Sequence, residues 1–166
     1  KKMGAMAGRL KLVQCAGIGL DKIDCDAVPE GCPIANVCEH DNAIAEWVLM
    51  VMLAMEREMI QVDQEVRSGN WDRLFDTGLW SMELRQRTLA IIGLGQIGRR
   101  TAEIAKVFGI RLIAATRAIP SDSEATHLGF DAVYGMDDLD RALQQADFVM
   151  LSLPLTKSTE GLIGAR

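Results

Sequence analysis

Six consecutive residues carry the clearest chemistry in the chain: Gly93, Leu94, Gly95, Gln96, Ile97 and Gly98. Glycines at the first, third and sixth places, after a strand and before a helix, are what a polypeptide needs to cradle a dinucleotide pyrophosphate. Gly93 permits the tight turn, Gly95 lets the backbone approach the phosphates, and Gly98 lets helix and strand pack closely. Gln96 and Ile97 supply N–H groups in the first turn of the helix, aimed at the anion and helped by the helix dipole. The spacing alone is a weak signal, because a strand–turn–helix can need glycine and bind nothing. The context strengthens it: a strand stands before, a helix after, and another strand follows. At the end of that second strand an NAD site usually carries an Asp or Glu for the ribose hydroxyls. Here Thr116 stands in that place and Arg117 follows. A carboxylate would repel a 2′-phosphate, whereas Thr with Arg accommodates one, so the pair favours NADP(H) over NAD(H).

The elements that must position these residues are read from hydrophobic periodicity. The pattern predicts a buried strand over Thr88–Gly93 and a helix over Gly95–Gly109, with Ile97, Thr101, Ile104 and Val107 or Phe108 inward. A second strand spans Ile110–Thr116, and a short helix over Ser121–Gly129 opens with a capping box of Ser121 and Glu124. A strand over Asp131–Tyr134, a helix over Asp137–Ala146 capped by Asp137, and a strand over Asp147–Pro154 complete the series. Such alternation with short links predicts an α/β fold with a parallel sheet and helices on its faces. Ahead of it, Leu10–Cys15 and Gly31–Val37 read as short strands. Ala43–Ser68 reads as one long helix whose core stripe is Ile44, Val48, Val51, Met55, Met59, Val62 and Val66. Trp71–Arg87 has no clear period and reads as a long surface connection.

Composition narrows the function classes. The chain has 166 residues, 49% of them hydrophobic and 25% charged, the balance of a folded soluble protein. With a net charge of −5 and no basic stripe, it does not look like a nucleic-acid binder. The longest apolar run, Trp47–Met55, is far short of the roughly 20 residues a bilayer needs, which argues against a membrane protein. Cys15, Cys25, Cys32 and Cys38 contain no CxxC pair, which argues against a zinc site. Free thiols in a reducing cytoplasm are the reading taken here.

Three blocks, "LVQCAGIGLDKID", "PIANVCEHDNAIAEWVLMVMLA" and "ELRQRTLAIIGLGQIGRRTAEIAKVFGIRLIA", with a fourth, "DFVMLSLPLTKSTEGLIGAR", resemble the D-isomer-specific 2-hydroxyacid dehydrogenases, glyoxylate/hydroxypyruvate reductases among them. The resemblance runs from about Leu10 to the last residue, and the order of the blocks is far more specific than the glycine motif. It implies an oxidoreductase that passes a hydride between NAD(P)H and a small 2-oxo or 2-hydroxy acid. It also implies two domains: a flavodoxin-like substrate domain, and a Rossmann-type coenzyme domain, a doubly wound parallel sheet, inserted within it. On that plan residues 1–41 are an edge of the substrate domain, 42–87 an interdomain helix and connection, and 88–166 the first half of the coenzyme domain. The family's use of the long helix region implies a homodimer.

Residue by residue, the resemblance gives "AGIG" to the substrate carboxylate, through the N–H groups of Ile18 and Gly19; an ordinary strand-end turn is the alternative. It places Leu153, Pro154 and Thr156 of "LPLT" against the coenzyme. Many relatives have Asn where this chain has His40, which either reaches into the cleft and alters substrate choice or is a surface loop histidine. Trp47 replaces a frequent His. The family's catalytic Arg, acid and His lie beyond "GLIG", so none is expected in this segment, and the chain is expected to be part of a longer protein. Two other readings are a non-enzymatic, dinucleotide-sensing corepressor-like protein and a methyltransferase-like domain; Gly98 and the outer blocks argue against the second.

Overall fold

Strand β3, Thr88–Ile92, is buried along its whole length, as a central strand of a parallel sheet should be. A computed structural model of the protein describes residues 8–72 and 82–164. Around β3 lie β4 (Arg111–Thr116), β5 (Phe130–Gly135) and β6 (Phe148–Leu151), all parallel, in the spatial order β5-β4-β3-β6. This is the order of the first four strands of a dinucleotide-binding sheet, with the reversal of strand order between β3 and β6. Asp131 is the extra residue of an irregularity between β4 and β5, and its carboxylate accepts the Leu112 N–H at 2.9 Å.

The helices of this part are α1 (Asp41–Glu56), α2 (Met59–Arg67), α3 (Gln96–Ala105), α4 (Asp122–Leu128) and α5 (Leu139–Leu143). The single helix expected over Ala43–Ser68 is therefore two. The chain breaks between them at Glu58, whose φ of 45° is left-handed and cannot continue a right-handed helix. The expected core stripe is also corrected. The buried face of α1 is Ala45, Leu49 and Met52, while Met55 and Met59 are each 62% exposed. Small residues explain the choice: Ala45 on α1 and Ala102 and Ala105 on α3 are fully buried, and α1 and α3 pack directly on each other.

Helix α3 ends earlier than expected, tightening into a 3-10 turn over Lys106–Phe108 with Gly109 at φ 68° as its cap. Val107 and Phe108 consequently face solvent instead of the core, where Thr101, Ala102 and Ala105 sit. The expected Asp137 helix begins as a 3-10 turn, so α5 starts only at Leu139 and Asp137 makes no cap. An ion-paired cluster closes the amino ends of the strands. Arg87 bonds Glu56 of α1 at 2.9 Å and reaches Asp147 at 3.5 Å, and Asp147 also accepts the Thr88 N–H at 2.8 Å.

The chain divides into two compact units: Asp41–Ser152 forms the one just described, and the chain up to His40 together with that from Leu153 onward forms the other. The second unit contains a two-stranded parallel sheet, β1 (Val13–Gln14) with β2 (Ile34–Ala35), shorter than the two expected strands. Most of the unperiodic Trp71–Arg87 stretch lies outside the described residues; its end folds as a 3-10 turn over Leu84–Gln86 that buries Leu84.

Candidate functional site

At the carboxyl end of β3 the chain turns through Gly93, whose φ of 100° requires glycine. The Gly93 N–H donates to Ala115 O at 2.8 Å and the Ser152 N–H to Ile92 O at 2.9 Å, so the turn emerges between β4 and β6. Ser152 Oγ donates to Gly93 O at 2.7 Å. Next, a Cβ on Gly98 would lie 2.2 Å from Gly93 O and 2.9 Å from Ser152 Oγ, so only glycine lets α3 start this close to the turn. Gly95 differs. Its φ of −75° and ψ of −170° suit any residue, and a Cβ there would meet nothing within 4 Å. Nothing among the described residues requires a glycine at 95; open space lies in front of it.

Free donors stand beside it. The N–H groups of Gly95, Gln96, Ile97 and Gly98 have no hydrogen-bond partner among the described residues. They are the first donors of α3, left over because a helix has no internal acceptors for them. Four free N–H groups at a helix start, at the switch point of a parallel sheet, fit a pyrophosphate.

Thr116 ends β4. It is 7% exposed, and its hydroxyl donates to Ala118 O at 3.5 Å. Arg117 beside it is exposed and has no ion pair or hydrogen bond among the described residues. The cation, more than the threonine, is thus free to meet a ligand.

The other predicted residues lie in the second unit. Ile18 O accepts from Asn36 Nδ2 at 2.8 Å, and Gly19 O accepts from the Cys15 thiol at 3.4 Å. The N–H groups of both residues have no partner among the described residues. A Cβ on Gly19 would lie 2.6 Å from an Asp21 carboxylate oxygen, so this turn has an acid at its side. His40 is exposed and follows Glu39, whose φ is 75°. The Thr159 hydroxyl closes the loop after Leu153: it donates to Pro154 O at 2.6 Å and accepts the Thr156 N–H at 2.8 Å.

Two residues around the glycine turn escaped the sequence reading. Ser152 is a small hydroxyl residue at the end of β6, a place where a strand end meets the turn. Arg99 stands in the first turn of α3, where no spacing in the sequence gives it a role. Its Nε donates to Leu94 O at 3.0 Å.

Among the described residues no group of His, Cys, Asp and Glu is arranged to hold a metal ion. No helix among them is long and apolar enough to cross a membrane. The four cysteines are free.

Comparison with known proteins agrees with this geometry. Residues 49–166 match the family model for "D-isomer specific 2-hydroxyacid dehydrogenase, NAD binding domain". The chain is 36% identical over 160 residues to D-3-phosphoglycerate dehydrogenase of Methanocaldococcus jannaschii, covering 95% of this chain and 29% of that protein. The D-lactate dehydrogenase of Aquifex aeolicus, solved with NAD and lactic acid, superposes with a TM-score of 0.81 at 25% identity, over 96% of this chain and 46% of its own. A probable 2-hydroxyacid dehydrogenase of Rhizobium etli, solved with NADP, HEPES and L(+)-tartaric acid, gives a TM-score of 0.73 at 26% identity, over 95% of this chain and 47% of its own. The chain thus spans less than half the length of each of these three proteins. With a four-stranded sheet in dinucleotide-binding order and a glycine turn at its switch point, the chain belongs to the D-isomer specific 2-hydroxyacid dehydrogenases, through their NAD binding domain.

Proposed function

We propose that the protein is an NAD(P)-dependent oxidoreductase that moves a hydride between the nicotinamide and a small 2-oxo or 2-hydroxy acid. The observation that carries this reading is the row of four unpartnered N–H groups over the open space at Gly95. When bound, the nicotinamide coenzyme supplies or accepts the hydride. The chain's own part is to hold it: Gly95, Gln96, Ile97 and Gly98 bind the pyrophosphate through the backbone, while Gly93 shapes the turn. Arg117, with Thr116 at its side, takes a 2′-phosphate, which favours NADP(H) over NAD(H). Leu153, Pro154 and Thr156 line the coenzyme.

The substrate carboxylate is held by the N–H groups of Ile18 and Gly19, whose own carbonyls are already engaged. His40 helps select the substrate. We assign residues 1–41 to the substrate domain, 42–87 to the interdomain helix region and 88–166 to the coenzyme domain, a division by function that differs from the two compact units, which group Leu153 onward with the chain up to His40. The protein works as a homodimer through the α1–α2 region, where Trp47, Met55, Met59 and Ile60 leave large apolar side chains exposed. It resides in the cytoplasm, in keeping with its four free thiols.

The test is direct. NADPH and NADH are titrated by coenzyme fluorescence, and reduction of glyoxylate and hydroxypyruvate is then followed at saturating coenzyme. NADPH should bind more tightly than NADH and support turnover. Failure of both coenzymes to bind overturns the reading; binding without turnover on any small 2-oxo acid, in a protein that spans the whole length of these relatives, favours a dinucleotide sensor.

A further inference from the structure

We propose that Arg99 is a positioning residue for coenzyme binding, setting the Leu94–Gly95 peptide of the glycine turn and tying that turn to α4. The proposal rests on the reading of the turn as a pyrophosphate site. Arg99 is the fourth residue of α3. A cation in the first turn opposes the helix dipole, so an arginine there has an electrostatic reason to swing out into water. Arg99 folds back instead. Its Nε donates to Leu94 O at 3.0 Å, and its Nη1 pairs with the Glu124 carboxylate of α4. Arg100, the next residue, turns elsewhere, to Asn42 and to Glu103 at 2.9 Å.

The consequence follows from peptide geometry. In a planar trans peptide the C=O and N–H point in opposite directions. Holding Leu94 O against the guanidinium therefore turns the Gly95 N–H the other way. Ser152 does the same for the preceding carbonyl, Gly93 O. With both carbonyls of the turn engaged, neither peptide can flip to present an oxygen to an incoming anion.

Glu124 supplies the second half. The capping box expected from sequence would send its carboxylate back to Ser121. The Ser121 half is formed, with Ser121 Oγ accepting the Glu124 N–H at 3.3 Å, but the carboxylate goes to Arg99. Its negative charge is thereby matched before any phosphate arrives. Helix α4 directly follows the segment that carries Arg117, so Arg99 joins the pyrophosphate end of the site to the end that faces the adenosine ribose. Through Nε and Nη1, both engaged within the protein, Arg99 acts on the turn.

The experiment compares the protein with Arg99→Met and Arg99→Lys. Binding of NADH and NADPH is read by fluorescence, and that of ADP-ribose and adenosine by calorimetry. Arg99→Met should weaken both coenzymes and ADP-ribose about tenfold and leave adenosine unchanged, because only the pyrophosphate contacts are lost. Arg99→Lys should recover part of the loss, since an ammonium keeps the charge but lacks the planar fork whose Nε and Nη1 reach the two acceptors. Arg99→Gln replaces Arg99→Met if the latter does not fold. Unchanged coenzyme binding in Arg99→Met overturns the assignment, as does a parallel loss of adenosine and ADP-ribose, which marks general damage. Failure of the unsubstituted protein to bind either coenzyme overturns the functional reading, and this proposal with it.

Discussion

Two alanine substitutions three residues apart should separate stability from binding. At Gly98 the added Cβ would lie 2.2 Å from a backbone oxygen, Gly93 O, and 3.1 Å from Ile91 Cγ2. Backbone cannot swing aside as a side chain tip can, so α3 and the turn must part by about 1 Å to restore contact distance in a close-packed interior. Overpacking of this kind costs about 1–3 kcal/mol, against about 1 kcal/mol gained from alanine's better helix propensity. With backbone as the obstacle the clash wins, by a net of up to ~2 kcal/mol, or a fall of up to about 8 °C in Tm for a domain of this size. Coenzyme binding falls too, because the donors move with the turn. At Gly95 the protein offers no clash, and the backbone is already in a conformation open to alanine. Stability should hold or rise by about 0.4–1 kcal/mol as the unfolded chain loses freedom. Yet the methyl group would occupy the space assigned to the pyrophosphate, so affinity for NADPH should drop tenfold or more, about 1.4 kcal/mol. Urea unfolding and coenzyme fluorescence on the same three proteins give both numbers. A Gly95→Ala protein that binds as the unsubstituted one does would refute the assignment of that space. An undiminished Gly98→Ala protein would refute the close-approach argument.

Arg117→Ala should weaken NADPH about tenfold while leaving NADH unchanged, since a charge-assisted bond to the 2′-phosphate is worth about 1.5–3 kcal/mol, read by paired titrations. Arg87→Met strands the Glu56 carboxylate, whose side chain is 10% exposed, with no cation beside it. Allowing for the partial exposure of Arg87 and Asp147, the loss should be about 1–3 kcal/mol in urea unfolding, with no change in coenzyme affinity. Ser152→Ala removes the bond to Gly93 O and should cost about 0.5–1.5 kcal/mol, together with a several-fold loss of coenzyme affinity. Ile60→Asp places a charge on the exposed apolar face of α2 and should shift a dimer toward monomer in analytical ultracentrifugation.

The sheet was legible because its strands are short, apolar and punctuated. Thr88–Ile92 and Arg111–Thr116 fall within a residue of their expected bounds, since a turn glycine or a helix cap marks where each begins or ends. The jobs of Gly93 in the turn and Gly98 in close packing could be read from spacing together with the strand before and the helix after. The α1–α2 region was misread because periodicity was weighed by side-chain size. The bulky stripe from Ile44 through Met55 and Met59 looked like a core, but close helix packing selected the face with Ala45. The break at Glu58 left no mark, because apolar spacing runs through it and no Gly or Pro stands there. Arg99 and Ser152 were invisible for a different reason: each acts on a main-chain carbonyl that only the folded turn brings to it.

The donors over the space at Gly95 are all peptide N–H groups, and this has a bearing on acidity. Amide protons do not dissociate anywhere near neutral pH, so this part of the site keeps its donors from mildly acid to mildly alkaline solution. The coenzyme's pyrophosphate likewise keeps its charge through that range. The grip on the pyrophosphate should therefore be flat with pH across the window in which a proton donor elsewhere in a dehydrogenase must titrate, whereas the 2′-phosphate of NADPH, which titrates at about pH 6, lies outside the cradle. A pH profile of NADH binding, which has no 2′-phosphate, would then take no slope from the cradle.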